Sequence, residues 1–328
     1  MRVKEVEITL DEGKKIYGEL NYPEENGVWR TVILFHGSGI SDRHATVEIR
    51  GRVISQNFKL LSERLVQAGY AVFRYDKSES YDINIIMHDA QEVIRVIKGF
   101  SEVSEIFLYG WSEGVRVCVA MASEFPEVKG MILQSGLAEG WNSYFSYILK
   151  EVMVEKFEEL DWNKDGILEL SDFRDAKSNS TVISFSLHLL VFNTDKNGNK
   201  NFNKELDPEQ KGSFSIQENW VPFVNNIVRN PTALKKFSEN APKENWEGII
   251  DDVRKIKIPM LLIHGLNDGY ISPIESVKIA KAARNYADVI LFKGLGHSLS
   301  RVKSPLYDEG GNMEKESVIE IIKWLKRI

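Results

Sequence analysis

Cysteine is almost absent: Cys118 stands alone among 328 residues, so no internal disulfide can form. Dense basic runs are missing too. With a formal net charge of −6 and a pI near 5.7, neither nucleic acid nor an anionic membrane surface is favoured as a partner. No apolar stretch reaches the roughly 20 residues needed to cross a bilayer. The longest, "STVISFSLHLLVF" from Ser180 to Phe192, is interrupted by His188 and reads as a buried helix. The N-terminal "MRVKEVEITL" lacks the uninterrupted apolar core of a signal peptide, which makes the cytoplasm the expected location. Cysteine and histidine do not cluster, which argues against zinc. What is present, 43% hydrophobic and 27% charged residues, is the composition of a soluble globular chain long enough for one large domain or two ordinary ones.

"VKEVEITL" and "KIYGELNY" flank "DEGK" and predict an N-terminal hairpin that turns between Asp11 and Gly13. Four short apolar runs follow, from Thr31 to Gly37, Tyr70 to Asp76, Glu105 to Gly110 and Val128 to Gly136. They alternate with segments of helical period: "FKLLSERLVQAG", "IIMHDAQEVIRVIKGF" and the stretch after Ser112. Strands apolar along their whole length, alternating with amphipathic helices, predict an α/β fold with a mostly parallel, doubly wound sheet. The alternation resumes with strands from Ile258 to Gly265 and from Ala287 to Gly294, a helix from Pro273 to Arg284, and a closing helix "EKESVIEIIKWLKRI". Between the two blocks the sequence turns polar and Asn-rich. The expected organisation is one sheet core in two parts, residues 1–136 and 251–328, with a largely helical cap inserted at 137–250.

"EIFLYGWSEGVRVCVA" sets Gly110 and Gly114 at i−2 and i+2 of Ser112. This is G-x-S-x-G in a strand–turn–helix setting, the arrangement that lifts a nucleophilic serine beyond a sheet edge. A serine hydroxyl needs a histidine base oriented by a carboxylate. Of the six histidines, His36 and His264 end strands in "HG" and read as loop supports, His88 and His188 fall in helical stretches, and His44 sits in a polar loop. His297, in "FKGLGHSLS" after the last strand, is where a base is expected. Asp268, in "HGLNDGYISP" just past a buried strand, is the expected carboxylate, with Glu139 in reserve. The order Ser112, Asp268, His297 along the chain fits this assignment. The two oxyanion donors are expected from the backbone N–H of Glu113, at a helix N-terminus, and of Ser38 (less so Gly39) in "HGSGISDRH". Asp42 and Arg43 are expected to brace that loop.

"FEELDWNKDGILELSDF" places oxygen ligands at Asp161, Asn163, Asp165 and Asp172, the Ile167 carbonyl between them, and Gly166 at the sharp turn. This is the EF-hand spacing, with Asp in place of Glu at the twelfth position, and it predicts calcium. A second loop, "FNTDKNGNKNFNKELD", repeats the alternation at Asp195, Asn197 and Asn199 in an imperfect register, and is expected to partner the first.

Together, "HGSGISDRH", "YAVFRYDKSES", "GWSEG" and "HGLNDGYISP" resemble the α/β-hydrolase superfamily, and within it bacterial esterases related to dienelactone hydrolases and to serine aminopeptidase-like acyl hydrolases. The resemblance covers both sheet blocks and implies a Ser112 acyl-enzyme on small carboxylic esters. The chain departs from it in "YDKSES", where relatives carry glycines after the lysine, and in the size of the insertion. A peptidase or thioesterase would use the same residues; a calcium-responsive binding protein with a vestigial site is the competing class.

Overall fold

The computed structural model describes residues 1–10, 13–24, 27–77, 82–173, 190–194, 200–230 and 248–328. The chain opens with an antiparallel hairpin, β1 (Arg2–Thr9) and β2 (Lys15–Tyr22), then β3 (Trp29–Phe35). A small hairpin, β4 (Thr46–Ile49) and β5 (Arg52–Gln56), leads into α1 (Asn57–Gln67), β6 (Ala71–Tyr75), α2 (Ile83–Ile97), β7 (Val103–Trp111), α3 (Gly114–Glu124) and β8 (Val128–Gln134). The inserted segment contains α4 (Trp141–Tyr147), α5 (Met153–Leu160), short strands β9 (Ile167–Glu169), β10 (Phe192–Thr194), β11 (Lys200–Phe202) and β12 (Ser213–Ser215), and α6 (Val221–Arg229). The sheet then resumes through α7 (Ile250–Lys255), β13 (Met260–Gly265), α8 (Ile274–Ala283), β14 (Ala287–Phe292) and α9 (Lys315–Arg327).

Eight strands form the main sheet in the order β1-β2-β6-β3-β7-β8-β13-β14. The β1–β2 and β2–β6 pairs are antiparallel and the rest parallel. The period of two along each strand explains why these runs are apolar throughout: both faces are covered. In β7, Ile106 and Leu108 face one core with α2 and α3, while Phe107 and Tyr109 face the other with α1 and α9. β13 repeats this with Met260 and Leu262 against Leu261 and Ile263. Helix α2 buries Ile86, Ala90, Val93, Ile94 and Ile97, one stripe at helical spacing, and starts where the Asp82 side chain accepts the Asn84 N–H at 2.9 Å. Cys118, on α3, is fully buried, and burial pushes its thiol well above the ordinary range.

The cap leaves and rejoins the sheet at neighbouring points. Ile249 N–H donates to the Ala138 carbonyl at 2.9 Å, and buried Glu275 accepts the N–H groups of Ala138 and Glu139 and the Ser143 hydroxyl. Beyond this neck the cap has an apolar core around Phe157, Phe202, Phe214 and Trp220, which Leu306 of the second sheet part joins, and the Trp220 indole N–H donates to the Leu149 carbonyl at 2.9 Å. Most of the stretch Ser180 to Phe192, expected as a buried helix, lies outside the described residues. Among the described residues no helix is long and apolar enough to cross a membrane.

Candidate active site

The chain can make the turn at Ser112 only because two positions lack side chains. A Cβ on Gly110 would sit 2.3 Å from the Gly114 carbonyl oxygen, and one on Gly114 would sit 2.3 Å from that of Phe35. Ser112 itself is held at φ 55°, a left-handed conformation that a non-glycine residue adopts only when its surroundings enforce it. Its N–H donates to the Gln134 carbonyl on β8 at 2.9 Å, and α3 begins immediately after it.

At the ends of β13 and β14 the loops bring Asp268 and His297 together. His297 Nδ1 lies 2.8 Å from Asp268 Oδ2, and the other carboxylate oxygen accepts the N–H groups of Tyr270 and Ile271, both at 2.8 Å. Burial pulls the imidazole pKa down, but the charge and hydrogen bond of Asp268 outweigh it, and His297 ends above its ordinary value. For Asp268, burial pushes upward; the charge of His297 and hydrogen bonds from His264 and His297 hold the carboxyl far below the usual range. Rings clamp the imidazole, with Trp111 centred 5.7 Å and Tyr270 5.0 Å away, and the His297 carbonyl accepts from Gln134 Nε2 at 2.9 Å and Trp111 Nε1 at 3.2 Å. Glu139, the reserve carboxylate, is exposed and pairs with Lys278 at 2.7 Å, so it is Asp268 that meets the histidine.

Sequence reasoning missed three residues around this pair. Asp308 is fully buried, and its Oδ2 accepts the N–H groups of both Gly269 and His297, at 3.0 and 2.6 Å, clamping the two loops together. Burial and the Asp268 charge raise its pKa. Nothing in "SPLYDEGGN" marks this aspartate. His264, read as a loop support, also places Nε2 3.0 Å from Asp268 Oδ2. From the cap, the Tyr147 hydroxyl donates to the Asp268 carbonyl at 2.5 Å.

Ser112, Glu113, His297 and Ser38 all line one cavity of about 740 Å³, walled by Trp111, Trp141, Tyr144 and Tyr270. Among the described residues no protein acceptor engages the N–H of Ser38 or Glu113. The loop that carries Ser38 is pinned as expected: Asp42 accepts from His44 N–H, Thr46 N–H and the Thr46 hydroxyl. Arg43 binds Asp76 through its backbone N–H and guanidinium, and reaches Glu5 at 2.8 Å.

In the cap, the loop from Asp161 to Asp172 closes on itself. Asp161 Oδ2 accepts the Gly166 N–H at 2.9 Å, Asn163 and Asp165 bond one another, and Asp172 accepts the Glu169 N–H at 2.8 Å. Asp161 is only 4% exposed, and its Oδ1 has no partner. Among the described residues no three His, Cys, Asp or Glu side chains converge as a ready metal cluster. Asp195, Asn197 and Asn199 lie outside the described residues, but the expected pairing of their loop with the first is corrected by the strands. β9 pairs antiparallel with β12, Leu168 facing Phe214, whereas β10 and β11 pair with each other. The loop opposite Asp161–Asp172 is therefore 207–218. Its Asp207 accepts the Gly212 N–H as Asp161 accepts that of Gly166, with the two glycines at φ 77° and 78° and Gln210 and Lys164 at 54° and 59°. Lys211 stands there where Asp165 stands in the first loop and breaks the alternation of oxygens, which hid the likeness in the sequence.

The mostly parallel sheet, with its serine turn after β7 and the acid and histidine loops after β13 and β14, is the α/β-hydrolase fold. Solved structures of that fold agree. The chain is similar to an esterase of Pyrococcus furiosus with a TM-score of 0.55 at 15% identity, covering 99% of this chain and 91% of that one. It is also similar to the α/β hydrolase GrgF from Penicillium sp. sh18, with a TM-score of 0.55 at 16% identity, covering 100% and 99%. In sequence it is 22% identical over 323 residues to Esterase EstD of Thermotoga maritima, covering 94% of this chain and 65% of that protein, so it spans just under two thirds of that relative's length. No family model matches the chain.

Proposed function

We propose that the protein is a carboxylic ester hydrolase working through Ser112, His297 and Asp268. The observation that carries this reading is the opening of the strained Ser112 turn and of His297, backed by buried Asp268, onto a single cavity. With Nδ1–H given to Asp268, His297 keeps Nε2 free to take a proton. As Ser112 Oγ bonds to the ester carbonyl carbon, its proton passes to Nε2 and the carbonyl oxygen becomes an oxyanion, received by the N–H groups of Ser38 and Glu113. Collapse breaks the ester C–O bond, and the imidazolium returns the proton to the departing alcohol. Water then repeats the sequence on the acyl-enzyme and releases the acid. The esterase names of EstD and of the Pyrococcus protein support ester substrates over amides or thioesters.

The test is a panel of 4-nitrophenyl esters, with a matching amide and thioester, run on the parent and on Ser112→Ala. Ser112→Ala should lose about 10⁴-fold or more in kcat while keeping its melting temperature, and a fluorophosphonate should modify only the parent. Activity and labelling absent in the parent too would favour a non-catalytic, calcium-responsive protein.

For the cap we infer a calcium ion held by Asp161, Asn163, Asp165, the Ile167 carbonyl and Asp172. The buried, partnerless Oδ1 of Asp161 supports it, because such an oxygen is costly without a cation or donor. The ion orders the cap and takes no part in the chemistry. Calorimetry on chelator-treated protein should give binding heat in the parent and none in Asp161→Ala; a silent parent reduces the loop to a helix-ending turn.

A further inference from the structure

Lys77 follows β6, in the segment where the sequence departs from its relatives. Its side chain is only 4% exposed, yet it touches both halves of the proposed oxyanion hole. Nζ donates to the Gly37 carbonyl at 2.8 Å and to Glu113 Oε2 at 2.8 Å. Residues 75–77 hold the same loop by other bonds: Lys77 N–H donates to the Ser41 carbonyl, Asp76 binds Arg43, and the Tyr75 carbonyl lies 2.8 Å from His36 Nε2.

We propose that Lys77 is a positioning residue for the oxyanion hole, fixing the Gly37–Ser38 peptide by its carbonyl and neutralising the carboxylate of Glu113. The inference rests on the Ser112 reading. In a trans peptide the Gly37 C=O and the Ser38 N–H lie in one plane and point in opposite directions, so gripping the oxygen sets the direction of the N–H. A cation on that oxygen also polarises the peptide and strengthens the N–H as a donor. Glu113 carries the other donor N–H on the same residue as a carboxylate. Left unpaired, that carboxylate would repel a developing oxyanion, whereas a neutral ester in the ground state would hardly sense it.

The distinguishing readout is therefore a split between kcat and KM. With 4-nitrophenyl acetate, Lys77→Met should lower kcat about 100-fold, the scale of one lost oxyanion donor, and leave KM within about threefold. Removing the stranded charge in Lys77→Met/Glu113→Gln should restore about five- to tenfold of kcat while staying below the parent. Should Lys77→Met fail to fold in a circular-dichroism melt, the double variant, which buries no unpaired charge, carries the test, and its kcat must be at least about tenfold below the parent. Lys77→Met with kcat within about threefold of the parent, or a folded double variant at parental kcat, overturns the proposal while an inactive Ser112→Ala leaves the site reading standing. An active Ser112→Ala overturns both.

Discussion

Ser112 and Asp161 each sit in a loop announced by a short motif, but the two loops are held differently. The serine turn is wedged against the sheet: Gly114 leaves room for the Phe35 carbonyl of β3, Gly110 lets the turn's own Gly114 carbonyl fold close, and β8 receives the Ser112 N–H. In the cap loop the carboxylates and amide bond one another and their own backbone, β9 adds its pairing with β12, and one buried oxygen is left over. A geometry imposed by a packed sheet exists before any ligand arrives. One that leaves a buried carboxylate oxygen unsatisfied matches the cation proposed for it. The proposed reacting groups therefore sit on the packed sheet, and the proposed ion on the cap, whose apolar cluster is separate from the two that cover the sheet.

The sharpest way to break that division is to strike one half and watch the other. Asp268→Asn keeps an oxygen for the Tyr270 and Ile271 N–H groups but leaves His297 in the wrong tautomer; kcat should fall about 10⁴-fold with the melting temperature of the cap unmoved. A parallel loss of cap stability would mean the halves are one cooperative unit. Next in size is Trp220→Ala. It empties the centre of the cap core and should destabilise the cap by about 3–5 kcal/mol, seen as an early thermal transition, while fluorophosphonate labelling of Ser112 persists below that transition.

The smallest expected effect comes from Asp308→Asn, whose amide oxygen can still accept the Gly269 and His297 N–H groups while the charge is lost. Because the pKa of His297 is raised, the acid limb of kcat/KM in the parent should lie above the ordinary imidazole value of about 6.5. Asp308 is one of the charges that raises it, so the limb should move to lower pH in Asp308→Asn. Linkage adds a stability check: with its folded pKa above the unfolded one, His297 contributes stability that is full below the unfolded pKa and lost as pH rises through the folded pKa. Both shifts should shrink together in the variant; an unmoved limb would limit Asp308 to clamping the loops.

The sheet was legible because its strands are buried on both faces and its helices carry one apolar stripe, patterns that survive in a single sequence. Ser112, Asp268 and His297 were legible because each lies where an α/β chain exposes loops, just past a strand. The β4–β5 hairpin was not, since its turn residues Arg50 and Gly51, both at positive φ, present "RG" where Asn-Gly would announce such a turn. Asp308 and Lys77 act through contacts made 11 to 40 residues away, at His297 and Gly37, and no local spacing encodes those. The pairing of the cap loops was misread because oxygen alternation was followed, whereas strand register decided it.

The burial of Cys118 has a practical side. A thiol with no solvent exposure and a pKa well above its ordinary value offers almost no thiolate to maleimides or oxidants at neutral pH. The parent molecule thus comes with a silent background for thiol labelling. A Trp162→Cys variant, at a position 83% exposed on the Asp161 loop, would carry a dye at one defined point of the cap without Cys118 having to be removed.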